Sequence, residues 1–315
     1  MLFRSHYMYG TDDLNAAEIE SFQEQIGSDL GVILDQPVQV DDERNIAREK
    51  VRTTLERAST NVARRKTTQT SWYGPVHGSR YQDLLELSAK KISKLDFAVH
   101  ALGGIVKLLN QYEFPLVSKI ILTAKRFMVP DRPVHLFGAG HPMVFALFVA
   151  LGCDLFDSAA YSIYAKEGRY LTTSGTHHLS DLTEFPCACP VCSTHDPKEI
   201  HQAPYQERFE LLARHNLHVT MAELREVRES IRSGSLWQLV EIRSRAHPKL
   251  LDALRASLQD SSMFTVEEPL FNTKALFYTG PETLQQPHVQ RYKHFLKNRY
   301  KIHQDVKKII IIPEL

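Results

Sequence analysis

"VHLFGAGHPMVFALFVALGCDLFDSA", residues 134–159, contains two short apolar runs on either side of an apolar segment of helical length. The first run leads into Gly-Ala-Gly and the second leads into Asp157, so both end in turn-forming residues. A short strand, a helix and another short strand are typical of a βαβ unit. The stretch therefore predicts two neighbouring strands of a parallel sheet joined by one helix.

The same alternation extends towards the N-terminus. Buried-strand candidates that precede helical patterns are GVILD (31–35), WYGPVHG (72–78) and FAVHALGG (97–104). Several of these strands end in Gly, His or Asp, as expected where loops at the carboxyl ends of barrel strands form an active site. We therefore predict an α/β fold of the (β/α)8 TIM-barrel type, with a doubly wound open sheet as the alternative.

The bulk composition narrows the class of protein. The chain has 315 residues, 43% of them hydrophobic, which is enough for a large core. Lysine and arginine (38) nearly balance aspartate and glutamate (37), so a nucleic-acid surface would have to come from local clusters. No apolar run reaches about 18 residues, and the N-terminus lacks the charged-then-apolar order of a signal peptide. These features predict a cytoplasmic protein without a membrane partner.

Three of the four cysteines lie in FPCACPVC, at Cys187, Cys189 and Cys192. A disulfide between residues so close in one loop would be strained and would close almost no chain. Clustered thiolates in a reducing compartment favour a tetrahedral Zn²⁺ site, which needs one more ligand. The alternative is a cysteine-rich loop without metal. Cys153 stands alone in a strand pattern and is predicted to be a core residue.

The fourth ligand is not decided by spacing alone. Four histidines close to the cysteines are candidates; chemistry allows His195, while His215 is better placed because it lies on a helical pattern. The four candidates are His195, His201, His215 and His218. Four protein ligands leave Zn²⁺ no open position, so the predicted metal is structural.

The pattern of short strands and helices stops near residue 184. Residues 185–248 carry the cysteines and two charged helical patterns, PYQERFELLARHN and TMAELREVRESIRSGSLWQLVEIRSRA. We therefore predict a partial barrel (1–184), a zinc-binding insert (185–248), and a final barrel helix with a C-terminal extension (249–315). The last segment, DVKKIIIIPEL (305–315), predicts a strand.

The stretch 134–176, the FPCACPVC cluster and LLARHN (211–216) together resemble the archaeal tRNA-guanine transglycosylases, the archaeosine-forming branch. The similarity runs from about Tyr9 to about Leu254. It implies a zinc-bearing TIM barrel that exchanges a D-loop guanine of tRNA, at position fifteen, for 7-cyano-7-deazaguanine. It also implies that His215 is the fourth zinc ligand.

The resemblance assigns roles to residues at the strand ends. Asp157 in DLFDS is the implied nucleophile that attacks the ribose, and a carboxylate can split glycosyl exchange into two displacements. Asp35 is implied to bind the amino-imino edge of the purine, as a bidentate acceptor. The alternative for Asp157 is a capping residue at a strand-to-helix turn.

Further base-binding residues follow from the same resemblance. Gly103 and Gly104 match a backbone pair that approaches the base closely, and Phe137 matches a residue that walls the base. His77 departs from the family, which carries Gln before Gly-Ser. This departure leaves open which deazapurine enters.

The resemblance also implies parts that the sequence does not contain. An acid/base Asp in an Asp-Ser-Gly motif and two barrel strands would precede Met1, and tRNA-binding domains would follow the C-terminus. We expect a complementing chain or a homo-oligomer to supply them, because an open barrel exposes an unpaired edge near GVILD. A truncated reading of a longer enzyme and a non-catalytic scaffold or tRNA-binding subunit are the alternatives. Lys166, Arg169 and Tyr170 are candidate tRNA contacts.

Overall fold

Five parallel strands form the central sheet of the computed structural model, which describes residues 7–9, 12–65, 69–259, 264, 276–302 and 304–308. The strands are joined by helices, and the order in space is the order in the chain. The sheet consists of β3 (Leu30–Val32), β4 (Ser71–Val76), β5 (Val99–Leu102), β6 (Val134–Leu136) and β7 (Leu155–Phe156), preceded by a hairpin of β1 (Tyr7–Tyr9) and β2 (Asp12–Leu14).

The strand order separates the two fold predictions. A doubly wound sheet reverses its strand order at a switch point, whereas here each strand pairs with the next one in the chain from β3 to β7. The connecting helices are α2 (Arg44–Arg64), α3 (Gln82–Ile92), α4 (Val106–Asn110), α5 (Phe114–Lys125) and α6 (Pro142–Ala150). The predicted TIM-type architecture is confirmed, with the described strands forming part of the barrel.

A side-chain amide occupies the outer edge of β3. Helix α1 (Ala16–Gln25) begins with an Asn15 capping box and carries Gln23 towards this strand. The Gln23 Nε2 group donates to the Val32 carbonyl oxygen at 2.9 Å, and the Val32 N–H donates to Gln23 Oε1 at 2.8 Å. The amide thus makes the two hydrogen bonds that a neighbouring strand would make.

Helix α6 is buried on nearly all sides. Its sequence, PMVFALFVA, is apolar throughout, as expected for a helix enclosed by other elements. It packs against the long helix α9 (Tyr205–Ser233) and against α10 (Leu236–Ser244). The helix of the β6–α6–β7 unit predicted from residues 134–159 is therefore part of the buried core.

The charged segment after the cysteines differs from the prediction of two helices divided between residues 216 and 220. Helix α9 runs without interruption for 29 residues, or about 43 Å. The chain has no Gly or Pro between 205 and 233, and Gly234 ends the helix in the left-handed conformation with φ 70°. Arg243 on α10 joins the helix by donating to both carboxylate oxygens of buried Glu223, at 2.8 and 2.9 Å.

The remaining elements follow β7 in the chain. They are α7 (Ala160–Lys166), the hairpin of β8 (Arg169–Thr172) and β9 (Gly175–His178), α8 (Pro197–Gln202), α11 (Pro248–Leu258) and α12 (Pro287–Asn298). Two short 3-10 turns cover Leu179–Asp181 and Pro281–Gln285.

The chain divides into two compact units, Met1–Ser257 and Leu258–Leu315. The boundaries predicted for the zinc-binding insert stay a prediction. Residues 309–315 of the predicted C-terminal strand lie outside the described residues, and residues 305–308 contain no strand. None of the helices in the described part of the chain combines the length and apolar content needed to span a membrane.

Candidate active site and metal centre

The predicted site residues lie just beyond the carboxyl ends of the strands of the parallel sheet. Asp35 follows β3, His77 follows β4, Gly103 follows β5, Phe137 follows β6 and Asp157 follows β7. Because the strands are parallel and adjacent, their carboxyl ends lie together. The structure thus places all five residues at the edge where a barrel carries its active site.

Asp157 is exposed but held at one oxygen. The Gly138 N–H donates to Asp157 Oδ1 at 3.0 Å, and His135 Nε2 lies 3.0 Å from the same oxygen, off the direction of an aligned hydrogen bond. Its side chain is 57% accessible to solvent. The contact with His135 holds the pKa of Asp157 below its ordinary value, and the Gly138 amide acts in the same direction while burial opposes both. The carboxylate is therefore ionised and reachable.

The loop after β6 fits closely against the loop after β7. Gly138 has φ 75°, a conformation that favours glycine, and a Cβ there would lie 2.4 Å from Val106 Cγ2. A Cβ on Gly140 would lie 1.9 Å from the Cβ of Ser158. Both glycines are needed for the approach that brings the Gly138 amide to Asp157.

Two residues that the sequence interpretation missed lie behind Asp157. His135 on β6 is buried, and its Nδ1 lies 3.1 Å from the Tyr73 hydroxyl on β4. The rings of Tyr73, His135 and Phe137 pack together, with centroid distances of 4.7 to 5.7 Å. Period-two alternation would have found His135, because residues 135 and 137 of an extended segment share one face.

Asp35 and His77 form a second pair. His77 Nε2 lies 2.6 Å from Asp35 Oδ2, and since a carboxylate only accepts, the ring donates. His77 is 1% exposed, and its Nδ1 has no hydrogen-bond partner among the described residues. The two residues assigned to the base by resemblance therefore contact each other directly.

Gly103 and Gly104 enclose this pair. A Cβ on Gly103 would lie 2.6 Å from Cε1 of His77, so the histidine ring occupies the space that a side chain would need. Gly104 has φ 76°, and a Cβ there would lie 2.3 Å from the Val38 carbonyl oxygen. Both positions require glycine in this arrangement.

A cavity of about 520 Å³ is lined in part by Gly138 and by Ser158, the residue after Asp157, but not by Asp157 itself or by the residues assigned to the base. Tyr112 and His247 stack at its wall with centroids 4.6 Å apart, and Arg169 lies over the Tyr164 ring at 5.4 Å. A volume of this size matches that of small-molecule sites. The predicted tRNA contact Arg169 thus lines the cavity, and Lys166 is exposed at the end of α7.

The three clustered cysteines and His215 form one group whose ligand atoms all lie within 4.8 Å of one another. His215 Nδ1 lies 3.2 Å from Cys192 Sγ and 3.5 Å from Cys189 Sγ, and the two sulfurs are 3.5 Å apart. Tetrahedral Zn²⁺ with Zn–S near 2.3 Å places its ligand atoms roughly 3.5–3.8 Å apart. A Cys₃His donor set of this size fits zinc.

His215 is oriented for metal binding by its surroundings. Its Nε2 donates to the Leu171 carbonyl oxygen at 2.9 Å, so Nδ1 presents its lone pair to the sulfurs. Burial lowers the pKa of His215 to about 4, which keeps the ring neutral. Burial also raises the pKa of Cys192 to about 12, so a cation is what would turn this thiol into a thiolate.

Tyr170 belongs to the metal centre, and the prediction that it stacks on a tRNA base is wrong. Its ring is fully buried between His215 at 3.6 Å and Phe185 at 5.1 Å. Its hydroxyl lies 3.4 Å from Cys192 Sγ. Cys153 is buried in the core, as predicted.

Asn216, next to His215, connects the metal centre to the segment after Asp157. Its Oδ1 accepts from the Leu171 N–H, and its Nδ2 donates to the carbonyl oxygens of Tyr161 on α7 and Arg169 on β8. The side chain is fully buried. One amide thus ties α9 to both elements that follow the predicted nucleophile.

Comparisons with known proteins agree with this architecture. Residues 1–249 match the profile of the family described as queuine tRNA-ribosyltransferase. Proteins named tRNA-guanine(15) transglycosylase from Methanococcus aeolicus and Methanocaldococcus jannaschii are each 46% identical to this chain over 295 residues, and one from Thermococcus onnurineus is 45% identical over 285. These matches confirm the resemblance that the sequence motifs indicated.

The matches cover this chain far more fully than they cover the relatives. The alignments include 92%, 92% and 90% of the chain but 45%, 45% and 49% of the three relatives. The chain therefore spans about half the length of the curated relatives it matches.

Proposed function

Since the chain belongs to the queuine tRNA-ribosyltransferase family, we propose that it carries out the base exchange for which its relatives are named, tRNA-guanine(15) transglycosylation. The incoming base is 7-cyano-7-deazaguanine, and the product is the precursor of archaeosine. The observation that carries the proposal is an ionised, exposed Asp157, held at one oxygen at the carboxyl ends of the barrel strands together with the Asp35–His77 pair.

The chemistry that this arrangement supports is a double displacement. A carboxylate oxygen of Asp157 attacks C1′ of the ribose, and the C1′–N9 bond breaks with its electron pair leaving on guanine. The departing guanine takes up a proton. The incoming deazapurine then loses the proton from its attacking nitrogen, forms the new bond to C1′, and releases the Asp157 carboxylate.

Base selection is assigned to the second pair of residues. Asp35 accepts from the amino-imino edge of the purine, while His77, Gly103 and Gly104 shape the space around it. His77 already donates to Asp35 Oδ2, which leaves Oδ1 of Asp35 for the base. Phe137, half-buried against Tyr73 and His135, walls the ring.

Zinc held by Cys187, Cys189, Cys192 and His215 supplies rigidity and no chemistry at the ribose, because four protein ligands leave it no open position. Asn216 and Tyr170 extend that rigidity to α7 and β8.

We assign the proton for the departing guanine to a complementing chain with an Asp-Ser-Gly motif. In this chain Asp157 acts as nucleophile and Asp35 binds the base edge, so neither is free to serve as the acid. Protonation of a leaving group typically contributes ~10²- to 10⁴-fold. Adding a chain with such a motif should therefore accelerate the exchange.

The test is a covalent adduct between the chain and tRNA that persists on denaturing gels when no incoming base is supplied. Asp157→Asn should abolish the adduct with little change in tRNA affinity, because phosphate contacts supply most of that affinity. Asp131→Asn makes the same charge change in the loop before β6. This loop lies at the amino ends of the strands, away from the site, so the variant should leave the adduct intact. Binding of tRNA without an adduct, with or without a partner, would instead support a scaffold or tRNA-binding subunit.

A further inference from the structure

A chain of three polar side chains crosses the sheet behind the candidate nucleophile. Tyr73 on β4, His135 on β6 and Asp157 after β7 are linked by distances of 3.1 Å and 3.0 Å. Tyr73 and His135 are both buried, at 7% and 9% exposure. No role in base exchange has been given above to the first two residues.

We infer that His135, oriented by Tyr73, is a positioning residue that fixes Asp157 through Oδ1 and leaves Oδ2 as the oxygen that attacks the ribose. This inference rests on the proposed function. It adds which oxygen reacts and what holds the other one.

The tautomer of His135 follows from its two neighbours. A neutral imidazole has one donor nitrogen and one acceptor nitrogen. Asp157 can only accept, so the proton belongs on Nε2, which faces it at 3.0 Å. Nδ1 is then the acceptor for the Tyr73 hydroxyl at 3.1 Å. Burial raises the pKa of Tyr73, and the Asp157 charge adds to this, so the hydroxyl keeps its proton and can donate.

The two carboxylate oxygens of Asp157 have different surroundings. Oδ1 faces both the Gly138 N–H and His135 Nε2, each at 3.0 Å. Among the described residues, the contacts from other residues are to Oδ1, and the Asp157 N–H also lies close to its own carboxylate. The Gly138 hydrogen bond and the close, off-axis approach of His135 Nε2 hold Oδ1 and draw charge to that side, while the other oxygen keeps its lone pairs for attack. Positioning of this kind lowers the barrier because the reacting atom is already aligned.

The position of His135 also sets the pH range over which Asp157 stays ionised. The titratable groups that face Asp157 are His135 and, behind it, Tyr73, and the Gly138 amide acts beside them. The contact with His135 lowers the pKa of Asp157. Removing the ring should therefore raise this pKa, and the loss of adduct formation on acidification should begin at a higher pH.

Three substitutions test the inference in the full chain. His135→Ala removes the ring, His135→Gln keeps a donor at a position similar to Nε2, and Tyr73→Phe removes only the hydroxyl that selects the tautomer. His177→Gln, on the exposed strand β9, is the matched control. Adduct formation with tRNA is followed against pH, and melting temperature and tRNA affinity are measured in parallel.

His135→Ala should slow adduct formation on the order of 10²-fold, the typical effect of misplacing a reacting group by about 1 Å. His135→Gln should recover most of the rate, and Tyr73→Phe should lie between them. The acidic limb should move to higher pH in His135→Ala and not in His177→Gln. If a folded His135→Ala protein forms the adduct at the wild-type rate and loses this activity at the same acidic pH, the inference is overturned while the proposed function stays intact.

Carbon-13 NMR of aspartate carboxyls, with Asp157 assigned from Asp157→Asn, provides a readout without turnover. A higher Asp157 pKa in His135→Ala than in wild type is expected, and equal values would refute the contact. If wild type forms no adduct even with a complementing chain that carries an Asp-Ser-Gly motif, the proposed function fails, and the attacking-oxygen inference fails with it.

Discussion

A glycine at 103 and a histidine at 77 share the same space, so neither can be understood alone. A Cβ added to Gly103 would lie 2.6 Å from Cε1 of His77, and the His77 ring is almost fully buried. The sequence indicates both residues through their place at strand ends. Their contact could not be predicted, because it joins the loops after β4 and β5, which no local sequence pattern relates.

Gly103→Ala should therefore destabilise the protein through His77. Overpacking of this kind costs about 1–3 kcal/mol, and it would also displace the ring from Asp35. In a His77→Ala background the atom that clashes is absent, so the same change should cost little. Urea denaturation of the four proteins of this cycle, with base affinity measured alongside, checks the expectation. Equal costs in the two backgrounds would contradict it.

The failure to predict Tyr170 has a physical reason. In sequence it follows a lysine and an arginine after the candidate nucleophile, which is a typical setting for an RNA contact. In the fold, strand alternation turns its ring away from Arg169 and into the metal centre, where it lies between His215 and Phe185. The ring direction depends on which residue begins β8, and that register is decided by hairpin pairing.

At the level of elements, helix α9 is joined to its surroundings by His215, which lies with the three cysteines, and by Asn216. The spacing of the cysteines indicated zinc, and resemblance selected His215, which the structure places with the three sulfurs. The continuity of α9 was missed because two charged patterns were read on either side of a short stretch that contains no helix breaker. Helix boundaries are the least certain part of any pattern-based interpretation.

Zinc content should follow the ligand set. His215→Ala should lose the metal, whereas His195→Ala should keep about one zinc per chain, as measured by elemental analysis. His195 makes its contacts with Thr194 and the Val191 carbonyl oxygen and is not part of the cluster. Loss of zinc should speed hydrogen exchange around residues 205–216 and in β8, because structural zinc contributes directly to folding. Retention of zinc by His215→Ala would exclude this ligand assignment.

For the whole molecule, the sequence predicted the order of the strands. It did not predict whether the backbone groups at the edge strand β3 are hydrogen-bonded. Repeated strand–helix units indicated a barrel, and each strand from β3 to β7 pairs with its successor. The sequence also predicted an exposed edge near GVILD. In the structure, Gln23 covers Val32 at that edge, a contact that depends on how α1 packs and has no signature in the local sequence.

Gln23→Ala should increase self-association of the chain. The substitution leaves the Val32 N–H and C=O groups unpaired at a sheet edge, and such groups favour pairing with another chain. Gln25→Ala, two residues along the same helix, removes only an exposed contact with Ser21 and serves as the control. Sedimentation velocity should show more dimer and larger species for Gln23→Ala alone. Identical profiles for both variants would show that Gln23 does not protect this edge.

The Gln23 amide also affects how long an incoming β-strand must be to pair favourably with β3. It satisfies a single residue of the strand, so an incoming segment that pairs only with Val32 merely replaces two hydrogen bonds with two others. A segment that pairs in register with Leu30, Gly31 and Val32 gains contacts that Gln23 does not make. Since Gly31 already pairs with β4, the outward backbone groups of Leu30 are what a longer partner adds, so we expect the edge to favour a segment that reaches both Leu30 and Val32.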